Sequence, residues 1–312
     1  MIIVLGSLNL DLVVDVVSFP RPGETVPGSN LRHLPGGKGA NQALALARMD
    51  SPVAMIGAVG DDPAGHQMIA DLQRAGVDTS GIRVRESVAT GTAVILLEGT
   101  GQNQIVVAAA ANGTLAAEEM NRGTLRLAEA RALVVQLEIP LPAVVAAIHA
   151  AAAAGVPVFL NAAPAQELPD NTLADTDWII VNESEAAVLA GSEIESGASP
   201  SRLASRLRER SDGACVAITL GAAGVWVDSD EFLGHLPGFR VAVVDTVGAG
   251  DAFVGAFVSR LTAGDPVYEA AVFGTAAGAL AVTRPGAQSG LPTAREVREF
   301  LRDHTASSPS QP

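Results

Sequence analysis

Short β-branched runs alternate with Ala/Leu-rich amphipathic stretches along almost the whole chain, and this alternation limits the fold more than any other feature. Strands are expected at residues 2–5, 53–59, 133–137, 156–160, 178–181, 215–220 and 224–227. Helices are expected at 39–49, 64–75, 141–154, 183–190, 200–210, 252–261, 266–283 and 293–303. The strand runs are apolar nearly throughout, which marks strands buried on both faces. Interleaved with helices, they predict an α/β fold: a Rossmann-like, mostly parallel sheet with helices on both faces. Aromatic residues make up 4% of the chain against 48% hydrophobic residues, so the core must be built from Ala, Val, Leu and Ile.

Two regions break the pattern. An apolar run at 12–17 continues past the first strand, and runs at 92–97 and 104–108 flank Gly99-Thr100-Gly101-Gln102-Asn103 as a β-hairpin would. These pieces predict a small antiparallel β lid, with lid segments at about 12–27 and 89–110, on a single domain spanning 1–306. The polar tail 307–312 is expected to be disordered.

The formal charge of −14, from 34 acidic and 20 basic residues, argues against nucleic acid or an anionic membrane as partner. Any phosphate site must therefore be local, made from backbone N–H groups, a helix N-terminus or a metal ion. The single cysteine, Cys215, excludes an intrachain disulfide, sits in a strand-like run and fits a reducing compartment. Met1 leads directly into a strand-like run with no signal-peptide pattern, and the Ala-rich run 144–155 is too short to span a bilayer. A soluble cytoplasmic protein is expected.

Ligands of open parallel sheets bind beyond the carboxyl ends of the strands. Here those ends run into Asn9 and Asp11, into Glu138, into Asn182 with Glu185 three residues on, and into Gly221. Asn9 and Asp11 are two apart, so an extended backbone points both to one side, an arrangement suited to vicinal hydroxyls of a sugar. Gly36-Gly37-Lys38-Gly39-Ala40-Asn41 forms a turn that opens a helix, and Lys38 is the only lysine among the 20 basic residues. In Asp245-Thr246-Val247-Gly248-Ala249-Gly250-Asp251, the small residues Gly248, Ala249 and Gly250 expose N–H groups at a helix start, an anion site. The helix that follows carries Phe253, Phe257 and Leu261 on one face. A carboxylate beside an anion site is unfavourable unless it handles a proton, which makes Asp251 the candidate base. Its place at the helix N-terminus should favour its ionised form. Walker-type and protein-kinase motifs, a His/Cys zinc cluster and a GxSxG elbow are all absent from the sequence.

The segments GSLNLD near the start, PGETV at 22–26, GGKGANQA at 36–43, QLEIP at 136–140, NAAPA at 161–165, VNESEA at 181–186, ITLGAAGVW at 218–226, DTVGAGDAF at 245–253 and AVTRPGAQ at 281–288 follow in order. With them the chain resembles the PfkB carbohydrate kinase family over nearly its whole length, and GGKGAN resembles the ribokinase branch of that family. The resemblance implies ATP-dependent phosphorylation of a small pentose, D-ribose to ribose 5-phosphate, with Mg²⁺ and a K⁺ activator. It implies that Asn9, Asp11, Gly37, Lys38, Asn41 and Glu138 hold the sugar, and that Asp251 takes the proton of the attacking hydroxyl. Ala249 and Gly250 would offer the anion hole. Asn182, Thr219, Gly221 and Thr275 would line the ATP site, with Glu185 helping to place Mg²⁺ and phosphate. Asp245, Val247, Ala281, Arg284 and Gly286 would form a monovalent-cation loop, where the family usually adds a serine and this chain has Gly290 after Ser289. The lid would match the family's β-clasp and pair two subunits into a homodimer. Other members of the family act on deoxyribose, nucleosides or sugar phosphates, and a catalytically idle sugar or nucleotide sensor on the same fold is the alternative from another class. The intact DTVGAGD segment speaks against the sensor, which would have no need of Asp251.

Overall fold

A computed structural model describes residues 1–99, 102–121, 123–191 and 197–306. The strands are β1 (Ile2–Leu5), β2 (Asn9–Val16), β3 (Gly28–Gly36), β4 (Val53–Gly60), β5 (Asp78–Arg85), β6 (Gly91–Glu98), β7 (Asn103–Ala108), β8 (Ala132–Gln136), β9 (Val158–Asn161), β10 (Trp178–Asn182), β11 (Cys215–Thr219), β12 (Val225–Asp228) and β13 (Leu233–Leu236). The α-helices are α1 (Lys38–Arg48), α2 (Pro63–Arg74), α3 (Leu141–Ala152), α4 (Asp170–Ala174), α5 (Glu183–Ala190), α6 (Pro200–Arg210), α7 (Ala249–Ala263), α8 (Val267–Ala281), α9 (Ala287–Gly290) and α10 (Ala294–Ala306).

Among the described residues, nine strands form one sheet in the order β13-β12-β11-β10-β9-β8-β1-β4-β5. From β11 to β5 every neighbouring pair is parallel, and only β12 and β13 close one edge antiparallel. Alternation along β1 shows why the strand runs are continuously apolar. Ile2 and Val4 enter the core shared with α1, α7 and α8, whereas Ile3 and Leu5 enter the opposite core, shared with α3, α5 and α6.

The second sheet has the order β3-β2-β6-β7. Its outer pairs are antiparallel, while β2 and β6 run parallel at its centre. The hairpin joins β6 to β7 as expected, its tip at Thr100 and Gly101 lying outside the described residues. The tail 307–312 also lies outside them.

Periodicity missed β3, β5, β13, α4 and α9. In β3 the first six residues are all exposed, so no apolar side marks it, and it is a strand because β2 supplies its hydrogen bonds. Helix α7 starts at Ala249 rather than 252, because Gly248 in a left-handed conformation (φ 81°) caps it and Asp251 belongs to its first turn. Among the described residues, no helix is long and apolar enough to cross a membrane.

Candidate active site

The close crossing of α1 and α7 builds the centre of the site. A Cβ on Gly255 would lie 2.4 Å from the Cβ of Ala45 and 3.0 Å from its carbonyl carbon, so only glycine allows the helices this near. One turn earlier on each helix, Asn41 and Gln42 of α1 meet Asp251 of α7. Asn41 Nδ2 donates to Asp251 Oδ2 at 2.9 Å, and Gln42 Nε2 donates to Oδ1 at 2.9 Å. Gln288 of α9 donates to Asn41 Oδ1 at 3.1 Å.

Asp251 is buried, 7% exposed. Burial pushes its carboxyl above the usual carboxylate range, against the pull of Lys38 and of the two amide donors, and Glu138 adds to the rise. The expectation that its helix position favours the ionised form is therefore corrected: desolvation outweighs the favourable neighbours.

On the sheet side of this centre, Glu138 leaves the end of β8. Its Oε2 accepts from Ser7 Oγ at 2.5 Å and from the Lys38 backbone N–H at 3.0 Å. The Lys38 ammonium is partly buried; burial alone would lower its pKa, but the carboxylates of Asp251, Glu138 and Glu185 hold it above its ordinary value. Asn9 is buried, its Oδ1 accepting from Asn112 Nδ2 at 2.8 Å. Asp11 lies alongside β3, where a Cβ on Gly36 would stand 2.2 Å from its Oδ2. Burial, with the charge of Glu138 behind it, pushes the Asp11 carboxyl up to about 7. Gly37 (φ 87°) is a second required glycine, since a Cβ there would meet the backbone N of Asn9 at 2.8 Å. Asn9, Asp11, Gly37, Lys38, Asn41, Glu138 and Asp251 thus gather into one polar cluster where β1, β2 and β8 meet α1 and α7.

The residues assigned to the nucleotide sit at the neighbouring strand ends. Asn182 and Glu185 form a reciprocal cap on α5: Asn182 Oδ1 accepts from Glu185 N–H, and Glu185 Oε2 accepts from Asn182 N–H, both at 2.9 Å. Helix capping is thus their task in the protein alone. Thr219 ends β11, its hydroxyl donating to Val181 O at 3.3 Å, and Gly221 follows with open space where a side chain would be. At the start of α7, Ala249 N–H already bonds to Thr246 O at 3.3 Å. The Gly250 and Asp251 N–H groups that follow have no helix carbonyl one turn back, and the ladder begins at Ala252, whose N–H bonds to Gly248 O at 2.8 Å. Gly250, too, has open space around its Cβ position. The Thr275 hydroxyl donates back to Ala271 O at 2.8 Å within α8, so it is engaged in its own helix.

The loop before α7 is tied to the loop before α9. Asp245 Oδ2 accepts from Gly286 N–H at 2.8 Å, and Oδ1 from Val247 N–H at 3.0 Å. The carbonyls of Ala281 and Arg284 face Gly290, lying 3.0 and 3.4 Å from its Cβ position. The Arg284 side chain turns to Glu296, at 2.7 Å, and Ser289 Oγ donates to Pro285 O at 2.6 Å. Ser289 therefore does not stand in for a serine at 290.

Sequence reasoning passed over Ser7, Gln42, Asn112, Gln136, Asn161 and Gln288. The first five are polar side chains buried beside the sheet, and Gln136 and Asn161 each end an otherwise apolar run. A lone amide closing a buried strand was the available signal.

Fold and site together define an α/β protein with a cluster of buried polar and charged groups at the carboxyl edge of its parallel sheet. The sequence profile described as pfkB family carbohydrate kinase matches residues 1–294. The chain belongs to this family of carbohydrate kinases and is a sugar kinase. Ribokinase from Haemophilus influenzae is 41% identical over 298 residues, covering 96% of this chain and 97% of that protein. The crystal structure of ribokinase from Thermotoga maritima matches with a TM-score of 0.89 at 34% identity, covering 97% of this chain and 99% of that one. Arabidopsis thaliana ribokinase complexed with ribose and ATP matches with a TM-score of 0.88 at 30% identity, covering 96% and 98%.

Proposed function

We propose that the chain transfers the γ-phosphoryl group of ATP to a hydroxyl of D-ribose, giving ribose 5-phosphate. The observation that carries this is the buried Asp251 carboxylate at the start of α7, with the sugar-side cluster on one side and the α7 N-terminus on the other. The ribose and ATP of the plant ribokinase complex support the same substrates.

Asn9, Asp11, Lys38, Asn41 and Glu138 hold the sugar through its hydroxyls, and Gly37 brings backbone close to it. Asp251 orients the attacking hydroxyl and accepts its proton. Phosphoryl transfer passes through a loose transition state, so positioning and charge stabilisation supply most of the catalysis. The N–H groups of Gly250 and Asp251 and the helix dipole meet the charge on the transferring group, with Gly248 and Ala249 shaping the turn. A proton affinity raised by burial suits Asp251 to accept the proton late.

Asn182, Thr219, Gly221 and Thr275 would line the nucleotide side. Among the described residues no three His, Cys, Asp or Glu side chains form a metal-holding group. Glu185 would help to hold Mg²⁺ beside the phosphates. When bound, Mg²⁺ neutralises charge on the phosphates. The facing carbonyls of Ala281 and Arg284, with Asp245, Val247 and Gly286, fit a K⁺ site. The small sheet serves as lid and as the surface of a homodimer, supported by the exposure of Ile105, Val106 and Val107 along β7. The use of ATP makes the cytoplasm the expected compartment.

An ATP-dependent phosphorylation screen over ribose, 2-deoxyribose, fructose and adenosine tests the assignment. Ribose should give the highest kcat/KM, because each missing hydroxyl leaves a buried polar group of the cluster unpaired. A higher value for adenosine would overturn ribose in favour of a nucleoside.

A further inference from the structure

Behind Asp251 lies a chain of buried amides that meets the cluster at the Asp251 carboxylate. Gln42 is 0% exposed and makes three hydrogen bonds at its head group. Its Nε2 donates to Asp251 Oδ1 at 2.9 Å and to Asn161 Oδ1 at 2.8 Å, and its Oε1 accepts from Gln136 Nε2 at 2.6 Å. Asn161 is anchored in turn, its Nδ2 donating to Ile180 O at 2.9 Å. Gln136 and Asn161 end the adjacent parallel strands β8 and β9, where they are register partners. Both hydrogens of the Gln42 amide are thus committed to carboxylate and carbonyl oxygens, which leaves its Oε1 to face Gln136. Gln136 Oε1 is buried without a partner beside Gly6, and a Cβ there would lie 2.0 Å away. An amide held among apolar strands with one unpaired oxygen is unfavourable for stability alone.

The geometry points to Gln42 as a positioning residue for phosphoryl transfer: braced by Gln136 and Asn161, it fixes the orientation of the Asp251 carboxylate and favours its ionised form. It works through Asp251 and does not touch substrate. The rigid strand ends thereby set a carboxylate carried by a helix, and a charge-assisted donor at one oxygen opposes the effect of burial. The charged groups that also face Asp251 are Lys38 at the start of α1, which favours the anion, and Glu138 beyond β8, which opposes it. Neither bonds to Gln42 in the structure, so removing Gln42 changes one influence on the carboxylate and leaves these in place.

This inference rests on Asp251 being the base, and the test separates the two. Full-length Gln42→Met and Gln136→Met are compared with wild type and Asp251→Asn by kcat, both KM values, the pH profile of kcat and thermal melting. Gln42→Met keeps the bulk and removes the donor. Its kcat should fall about ten- to a hundredfold, with both KM values within about threefold of wild type. The acidic limb of its kcat profile should move up by about one pH unit. Gln136→Met leaves the bond to Asp251 intact and should shift the limb in the same direction by less. An unmoved acidic limb in Gln42→Met overturns the proposal, as does a kcat loss matched by equal rises in both KM values. Should Gln42→Met fail to fold, Gln136→Met decides: a shifted limb supports the brace and an unmoved limb overturns it. Substantial turnover by Asp251→Asn would instead refute Asp251 as base, whatever the amides do.

Discussion

Gly255 of α7 packs directly on Ala45 of α1, so that an added Cβ would approach the Ala45 Cβ to 2.4 Å. The contact lies one turn beyond the place where Asn41 and Gln42 bond to Asp251. Packing and chemistry are therefore linked: the helices must touch here for the amides to reach the carboxylate. Gly255→Val should destabilise the protein by about 1–3 kcal/mol through overpacking. It should also lower kcat at temperatures where the protein remains folded. The pair Gly255→Ala with Ala45→Gly exchanges the two side chains and should recover most of both losses. Thermal melts and kcat on the three proteins check this, and full activity in a folded Gly255→Val would refute the link.

Asp251→Asn should keep the fold and reduce kcat by about 10²–10⁴-fold, the usual effect of losing a general base. The asparagine can still bond to Asn41 or Gln42 by amide reorientation, so melting should change little. More than about a tenth of wild-type kcat in the purified variant would remove Asp251 from the role of base.

Asp11 should make sugar binding depend on pH. Its carboxyl is raised to about 7, so below that value the free enzyme carries it largely protonated. If sugar hydroxyls bond to the carboxylate, the sugar KM should rise as pH falls below about 7, while the ATP KM stays flatter. The stability sign runs the other way. A raised folded-state pKa adds stability at pH below the ordinary carboxylate value, and that contribution is lost as pH rises through about 7. Asp11→Asn should flatten both dependences and raise the sugar KM about ten- to a hundredfold through a lost charged hydrogen bond. A sugar KM in Asp11→Asn equal to that of wild type would place Asp11 outside the sugar site.

Activity should rise with K⁺ and respond less to Na⁺. The loops carrying Asp245 and Gly286 are already joined by a 2.8 Å hydrogen bond, and an ion between them would stiffen the approach to Gly248 and α7. Equal initial rates in K⁺ and in a large organic cation at matched ionic strength would count decisively against a cation site.

Val106 on the outer strand of the small sheet is 70% exposed, beside Ile105 and Val107. Apolar exposure in a row along an edge strand calls for a cover, and a second copy would supply it. Sedimentation should show a dimer for wild type and a monomer for Val106→Asp. A monomeric wild type at micromolar concentration would exclude the clasp.

The α/β class, most strands of the central sheet and most helices were readable because burial on both faces leaves a local mark: a run of apolar residues bounded by turns. DTVGAGD and GGKGAN were readable for a related reason, since glycines at positive φ and small residues at a helix start are demanded by backbone geometry. β3 left no such mark, because its six leading exposed residues owe their conformation to β2. Nor could sequence show that Asn182 and Glu185 cap their own helix, although their spacing permits it. The state of Asp251 also lay beyond local reasoning. A helix N-terminus favours a charged carboxylate, and only the surrounding fold decides that burial prevails. Gln42, Gln136 and Asn161 come from three distant segments and meet around one carboxylate. Residue type and local spacing determined which groups this chain carries; only tertiary packing decided which of them share a low-dielectric space, because desolvation and hydrogen-bond geometry belong to the assembled interior.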